Sequence, residues 1–194
     1  MRTKNGIVQS VFLEVNFKYL SFFLGCMILE SLYFFLPGYV ANMAPVLLRR
    51  IPFGSRPIYA KLFGSHKTWR GLAAATLAGG LVFWLQKGLF AAGFENFALI
   101  DYADFPVWFG FLQGAGAILG DLVKSYYKRK SGIKPGEPWL FWDQIDFVIG
   151  GIVLGFLWYV PPAGSVAVLL AASPILHALV NYIGYLLKIK ETKF

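Results

Sequence analysis

Three aspartates and a cluster of cations lie between two apolar runs in the second half of the chain, in the stretch DLVKSYYKRKSGIKPGEPWLFWDQID from Asp121 to Asp146. Asp121, Asp143 and Asp146 stand at the very ends of the apolar runs, where a carboxylate is costly unless something binds it. At about 100° per residue, positions 121, 124, 125 and 128 fall on one side of a helix, so Asp121, Lys124, Ser125 and Lys128 share a face. Asp143 and Asp146, three apart at the start of the next run, likewise project to one side. The three acids can therefore converge at one depth. Magnesium is a hard cation that takes oxygen ligands, commonly one or two carboxylates together with substrate phosphates, and this set supplies such ligands. Lys128 and Arg129 offer a point charge and a planar fork to phosphate oxygens, and Lys134 adds a cation beside the turn Pro135-Gly136.

These residues also have plainer readings. Helix dipole compensation and the bias of cations toward the cytoplasmic side account for Lys and Arg, though not for Asp. Internal salt bridges to the same cations would account for the acids. A second element is His66-Lys67-Thr68-Trp69-Arg70-Gly71, just before another apolar run. Thr68 suits an N-cap, and the free N–H groups of a helix start, aided by Lys67 and Arg70, are receptive to phosphate. Trp69 is equally explained as an interfacial anchor.

The elements that must position these residues follow from composition. Of the 194 residues 57% are hydrophobic and 14% charged, against about 25% charged in soluble domains. This implies an all-α integral membrane protein. Apolar segments run from Tyr19 to Val40, Leu72 to Phe94, Phe105 to Tyr126, Phe141 to Val160 and Ser165 to Leu187. Each is near the roughly 20 residues that cross the hydrocarbon, so a single domain over residues 1–194 with five transmembrane helices is expected. The first segment is too long for a cleaved signal peptide and is expected to be retained. Residues 1–18 suit a short interfacial helix leading into it.

Most of the 18 Lys and Arg fall between spans one and two, between spans three and four, or after span five. The positive-inside bias then puts the N-terminus outside, and the C-terminus and both charged loops, residues 41–71 and 125–142, in the cytoplasm. The net charge of +8 belongs to that face. For Lys188, Lys190 and Lys193, attraction to anionic headgroups is sufficient explanation. Cys26 stands alone in an apolar span, which leaves no intrachain disulfide. His66 and His177 lack partners at ligand spacing, so zinc is not expected. The stretch from Asn42 to Arg70 holds Pro45, Pro52, Gly54, Pro57 and Gly64, which favour turns and a long loop able to cover a site. Gly110, Gly114, Gly116, Gly120, Gly151 and Gly155 are read as helix-packing residues.

Taken together, the blocks Asn42-Met43-Ala44-Pro45, Lys67 to Gly71, Gly120-Asp121 with Ser125, Lys128 and Arg129, Gly132-Ile133-Lys134-Pro135-Gly136, and Asp143-Gln144-Ile145-Asp146-Phe147 resemble the archaeal CDP-archaeol synthase family. The resemblance runs from about residue 35 to the C-terminus. The last third is also similar to the wider phosphatidate cytidylyltransferase family, but it lacks that family's His-Gly-Gly element and has Pro135 where an Asp follows the loop lysine. Both departures favour the narrower, archaeal branch.

The resemblance implies cytidylyl transfer from CTP to an unsaturated archaeal ether-lipid phosphate, 2,3-di-O-geranylgeranylglyceryl phosphate, with release of pyrophosphate. Asp121, Asp143 and Asp146 are then expected to ligate magnesium or to orient its ligands, with Lys67, Arg70, Lys128, Arg129 and Lys134 on phosphates. Asn42, Thr68, Ser125 and Gln144 are implied polar contacts to nucleotide or headgroup. Membrane lipids are the expected surroundings and no nucleic acid is an expected partner. The competing classes are a small cation transporter, which calls for charge near the bilayer midplane, a CDP-alcohol phosphotransferase, whose acid ladder is longer, and a noncatalytic scaffold, which has no use for clustered acids.

Overall fold

The computed structural model describes residues 4–50, 53–134 and 137–188, apart from the side chains of residues 4–16 and Arg50. Among these residues there are seven α-helices and no strand: α1 (Lys4–Phe34), α2 (Leu36–Leu47), α3 (Ala60–Phe63), α4 (Trp69–Ala91), α5 (Trp108–Lys130), α6 (Trp142–Gly155) and α7 (Ala163–Leu186). By length and composition, Phe17–Phe34 of α1, all of α4 and all of α7 suffice to cross a membrane. Helix α5 matches α4 in length, but its last turns carry Asp121, Lys124 and Lys128 to Lys130. Helix α6 has 14 residues, about 21 Å at 1.5 Å each, and tightens into turns from Phe156 to Tyr159. The expected helix over Phe141–Val160 is thus shortened at both ends.

The first expected span, Tyr19–Val40, is broken at Phe35. Pro37 has no N–H to give to the carbonyl of Tyr33, so a continuous helix would leave that carbonyl bare. Gln86 of α4 donates its Nε2 to the Tyr33 oxygen at 2.6 Å, and Gln113 of α5 reaches the Phe34 oxygen at 3.5 Å. Both glutamines are 2% exposed. Buried amides therefore close the gap that the proline opens, as helix breaks in apolar surroundings require. The segment expected as an interfacial helix runs uninterrupted into α1 over residues 4–18; the side chains that would make it interfacial, like residues 1–3, lie outside those described.

Two loop expectations are corrected. Helix α2 continues through Asn42 and Pro45 to Leu47, followed by one 3-10 turn over Leu48–Arg50. Pro45 is tolerated because the buried face of Pro37, Gly38, Ala41 and Ala44 packs against α4 and α5, which outweighs one missing hydrogen bond. Similarly, α5 extends to Lys130, so Ser125, Lys128 and Arg129 are helical and the connection to α6 begins only at Ser131. The core is aromatic: Phe34, Phe83, Phe105, Phe109 and Tyr159 stack edge-on or tilted at 5.2–6.4 Å.

Candidate active site

Helices α5 and α6 meet backbone to backbone. A Cβ on Gly120 would fall inside the Asp146 carbonyl oxygen and 3.1 Å from the Gly150 Cα. No larger residue fits there, and the close approach sets Asp121, next in sequence, beside Asp146 across the interface. Gly116 makes the same close approach to Gly150, a partner that the sequence left unremarked, while Gly110 and Gly114 pack α5 just as closely on α4 around Gly79.

The three acids then face one ammonium. Lys124 Nζ lies 3.0 Å from Asp121 Oδ1, 2.7 Å from Asp143 Oδ1 and 2.9 Å from Asp146 Oδ2. Lys67 Nζ pairs with Asp121 Oδ2 from the segment preceding α4. Lys128 Nζ contacts both Asp143 oxygens at 3.2 and 3.1 Å and donates to the Glu137 carbonyl at 2.6 Å. Asp143 also accepts the Trp139 N–H at 2.5 Å, which ties the α5–α6 connection to the start of α6. Three carboxylates thus balance three lysines. Asp146 differs from its neighbours: Oδ1 accepts its own helix's Phe147 N–H at 2.7 Å, while buried Oδ2 touches the ammonium without hydrogen-bond alignment.

Beside this network a cleft of about 130 Å³ is lined by Phe63, Gly64, His66, Lys67, Lys124, Ser125, Lys128 and Arg129. Its outer wall is the loop before α4, which is pinned back on itself. Ile58 N–H donates to the Lys67 carbonyl, Trp69 N–H to Arg56 and Arg70 N–H to Gly54. Thr68 caps α4 as its sequence suggests, accepting the Gly71 N–H at 3.1 Å. With Leu72 N–H bonded to the Thr68 carbonyl, the first four N–H groups of α4 are all engaged. The expectation of a phosphate seat on free amides at this helix start therefore fails, because the loop's own carbonyls and the cap occupy the donors.

Of the residues singled out from sequence, the structure brings together Asp121, Asp143, Asp146, Lys67, Lys128, Ser125 and Arg129. Ser125 is buried in the cleft wall. Arg129 is anchored through Nη1 to the Ile133 carbonyl at 2.6 Å, with its buried Nε unpartnered among the described residues. Asn42 on α2, Arg70 on α4 and Gln144 on α6 make no side-chain polar contact with the network among the described residues. Lys134 is exposed on the α5–α6 connection, its N–H bonded to Glu137 Oε2; Pro135 and Gly136 lie outside the described residues. Lys124, the centre of the network, was visible in sequence only as a member of the α5 polar face. Phe63 carried no signal in the sequence, and His66 and Gly64 stood out only as loop residues, because only the folded loop brings them to the cleft.

The donor chemistry fits a hard divalent cation: carboxylate oxygens from two helices converge on one point, and one of them lacks a hydrogen bond. Among the described residues, however, no three acids form a cage ready for a metal, since the point of convergence is filled by Lys124.

A family model described as CarS-like, CDP-archaeol synthase, matches residues 24–194. The CDP-archaeol synthase of Pyrococcus furiosus is 32% identical over 172 residues, covering 84% of this chain and 96% of that protein. The CDP-archaeol synthase of Methanopyrus kandleri is 36% identical over 169 residues, covering 84% and 91%. A solved structure described as an intramembrane enzyme for archaeal membrane lipids biosynthesis matches with a TM-score of 0.58 and 29% identity, over 79% of this chain and 94% of its own. The apolar helices and this neighbour mark a membrane protein. With a family model and relatives above 30% identity each spanning most of its length, the chain belongs to the CDP-archaeol synthase family.

Proposed function

We propose that this chain transfers the cytidylyl group of CTP to 2,3-di-O-geranylgeranylglyceryl phosphate, forming CDP-archaeol and pyrophosphate in a magnesium-dependent reaction. Family membership makes it a cytidylyltransferase. The observation that carries the substrate reading is the meeting of Asp121, Asp143 and Asp146 with Lys67, Lys124 and Lys128 beside a cleft lined by cations.

In this reading an oxygen of the lipid phosphate attacks the α-phosphorus of CTP, a new P–O bond forms, and the bond to pyrophosphate breaks in line. A phosphate monoester is largely ionised at neutral pH, so no side chain need remove a proton. The chain acts by positioning and by neutralising charge. Lys67, Lys128 and Arg129 bind triphosphate oxygens in the cleft, and Ser125 offers a hydroxyl on the same wall. Lys134 and Arg70 would supply further charge to the phosphates, and Asn42, Thr68 and Gln144 polar contacts to nucleotide or headgroup. Asp121, Asp143 and Asp146 would hold magnesium, which would neutralise charge on the reacting phosphates. The bilayer is crossed five times, by α1 with α2 and by α4, α5, α6 and α7, with the N-terminus outside and the cleft and C-terminus in the cytoplasm. The lipid tails lie in an apolar groove between helices.

The test is incubation of purified protein with labelled CTP, magnesium and either the unsaturated ether-lipid phosphate or phosphatidic acid. CDP-lipid should form with the ether lipid and fall about 100-fold or more in Asp143→Asn and Asp146→Asn variants that remain folded. Undiminished turnover in both variants would remove the metal role.

A further inference from the structure

We propose that Lys124 is a tethered cation that keeps the carboxylate site closed to divalent ions until a bound polyphosphate draws its ammonium away, so that metal and nucleotide enter together. This rests on the cytidylyl-transfer reading of the same site.

The first ground is position. The Lys124 ammonium is within 3.0 Å of all three carboxylates, on two helices, and its side chain is only 13% exposed. Magnesium needs oxygens at about 2.0–2.1 Å around its own centre, and the ammonium already occupies the space between these oxygens. The second is Asp146. Its side chain is 6% exposed and its Oδ2 faces the ammonium without a directed hydrogen bond. Among the described residues this oxygen meets only the Lys124 ammonium, so once that ammonium leaves, its lone pairs are open to another cation.

The third ground is charge. Asp121, Asp143 and Asp146 are balanced by Lys67, Lys124 and Lys128. A divalent ion entering alone would leave two uncompensated positive charges in a desolvated site, which is strongly unfavourable. A triphosphate reverses that balance. Lys124 also lines the cleft beside Ser125, Lys128 and Arg129, so a polyphosphate bound in that cleft would compete with the carboxylates for its ammonium.

The experiment is a titration of nucleotide-free, detergent-purified protein with Mn²⁺, read by the loss of the free-ion electron paramagnetic resonance signal. Wild type should bind weakly, Lys124→Met about tenfold or more tightly, and Lys124→Arg, which keeps the charge, as weakly as wild type. A purely structural lysine would not give this split between charge-neutral and charge-retaining variants. Equal Mn²⁺ affinity in wild type and a folded Lys124→Met overturns the inference. So does micromolar Mn²⁺ uptake by nucleotide-free wild type, an outcome that needs no variant to fold. The same preparation is assayed for CDP-lipid formation: activity with either of those binding results leaves the cytidylyl-transfer reading standing, whereas inactivity of wild type toward every lipid phosphate removes that reading itself.

Discussion

Asp143 accepts from Lys124, Lys128 and the Trp139 amide at once, so its charge organises both the network and the chain entering α6. Asp143→Asn keeps the shape and removes the charge; CDP-lipid formation should fall about 100-fold, as for residues that orient a metal site. Lys67 stands differently, pairing with Asp121 at the cleft wall while Lys124 also holds that acid. Lys67→Ala should raise the KM for CTP about tenfold with a smaller change in kcat, the signature of lost ground-state binding. An unchanged KM would put the triphosphate elsewhere. The three acids were legible in sequence because carboxylates at the ends of apolar runs have no cheap explanation. Lys124 was not, because a lysine at the end of an apolar run is already explained by the positive-inside bias. The α4 start misled for another reason: whether its amides are free depends on Gly54 and Arg56, which fold back from a loop of irregular pattern.

Glycines and glutamines do the positioning at the level of helices. Gly120→Ala places a methyl where the Asp146 carbonyl stands, so α5 and α6 must separate. Overpacking of this kind costs about 1–3 kcal/mol, read as a lowered melting temperature in detergent together with lost turnover. Gly88→Ala on α4, whose Cβ would meet nothing within 4 Å, is the matched control and should change neither. Gln86→Leu strips the partner from the Tyr33 carbonyl beside the Pro37 break and should destabilise by about 1–3 kcal/mol, with the network's own chemistry unaffected. Apolar length made α4, α5 and α7 readable almost to their ends, whereas the break beside Pro37 fell inside the expected first span. The continuation of α2 through Pro45 was hidden, since local propensity opposes it and only packing on α4 and α5 sustains it.

Across the whole molecule the polar chemistry is segregated to one end. The α4–α5 connection at the other end is fixed by Lys87, whose ammonium donates to the carbonyls of Tyr102, Ala103 and Phe105, so that cation is spent on structure. Between the ends lies the aromatic core. With the native Cys26→Ser, a Lys134→Cys variant should react with an impermeant thiol reagent only from the cytoplasmic side, and an Ala163→Cys variant only from outside; the reverse pattern would invert the proposed orientation. Composition and charge bias made a membrane protein with one charged face legible, whereas the convergence of α5, α6 and the loop before α4 is a long-range property no local pattern records. The most direct test is a crystal structure with Mn²⁺ and a non-hydrolysable CTP analogue, the ion located by anomalous scattering. The account predicts Mn²⁺ among Asp121, Asp143 and Asp146 with the triphosphate against Lys67, Lys128 and Arg129; nucleotide and ion bound away from the α5–α6 carboxylates would contradict it.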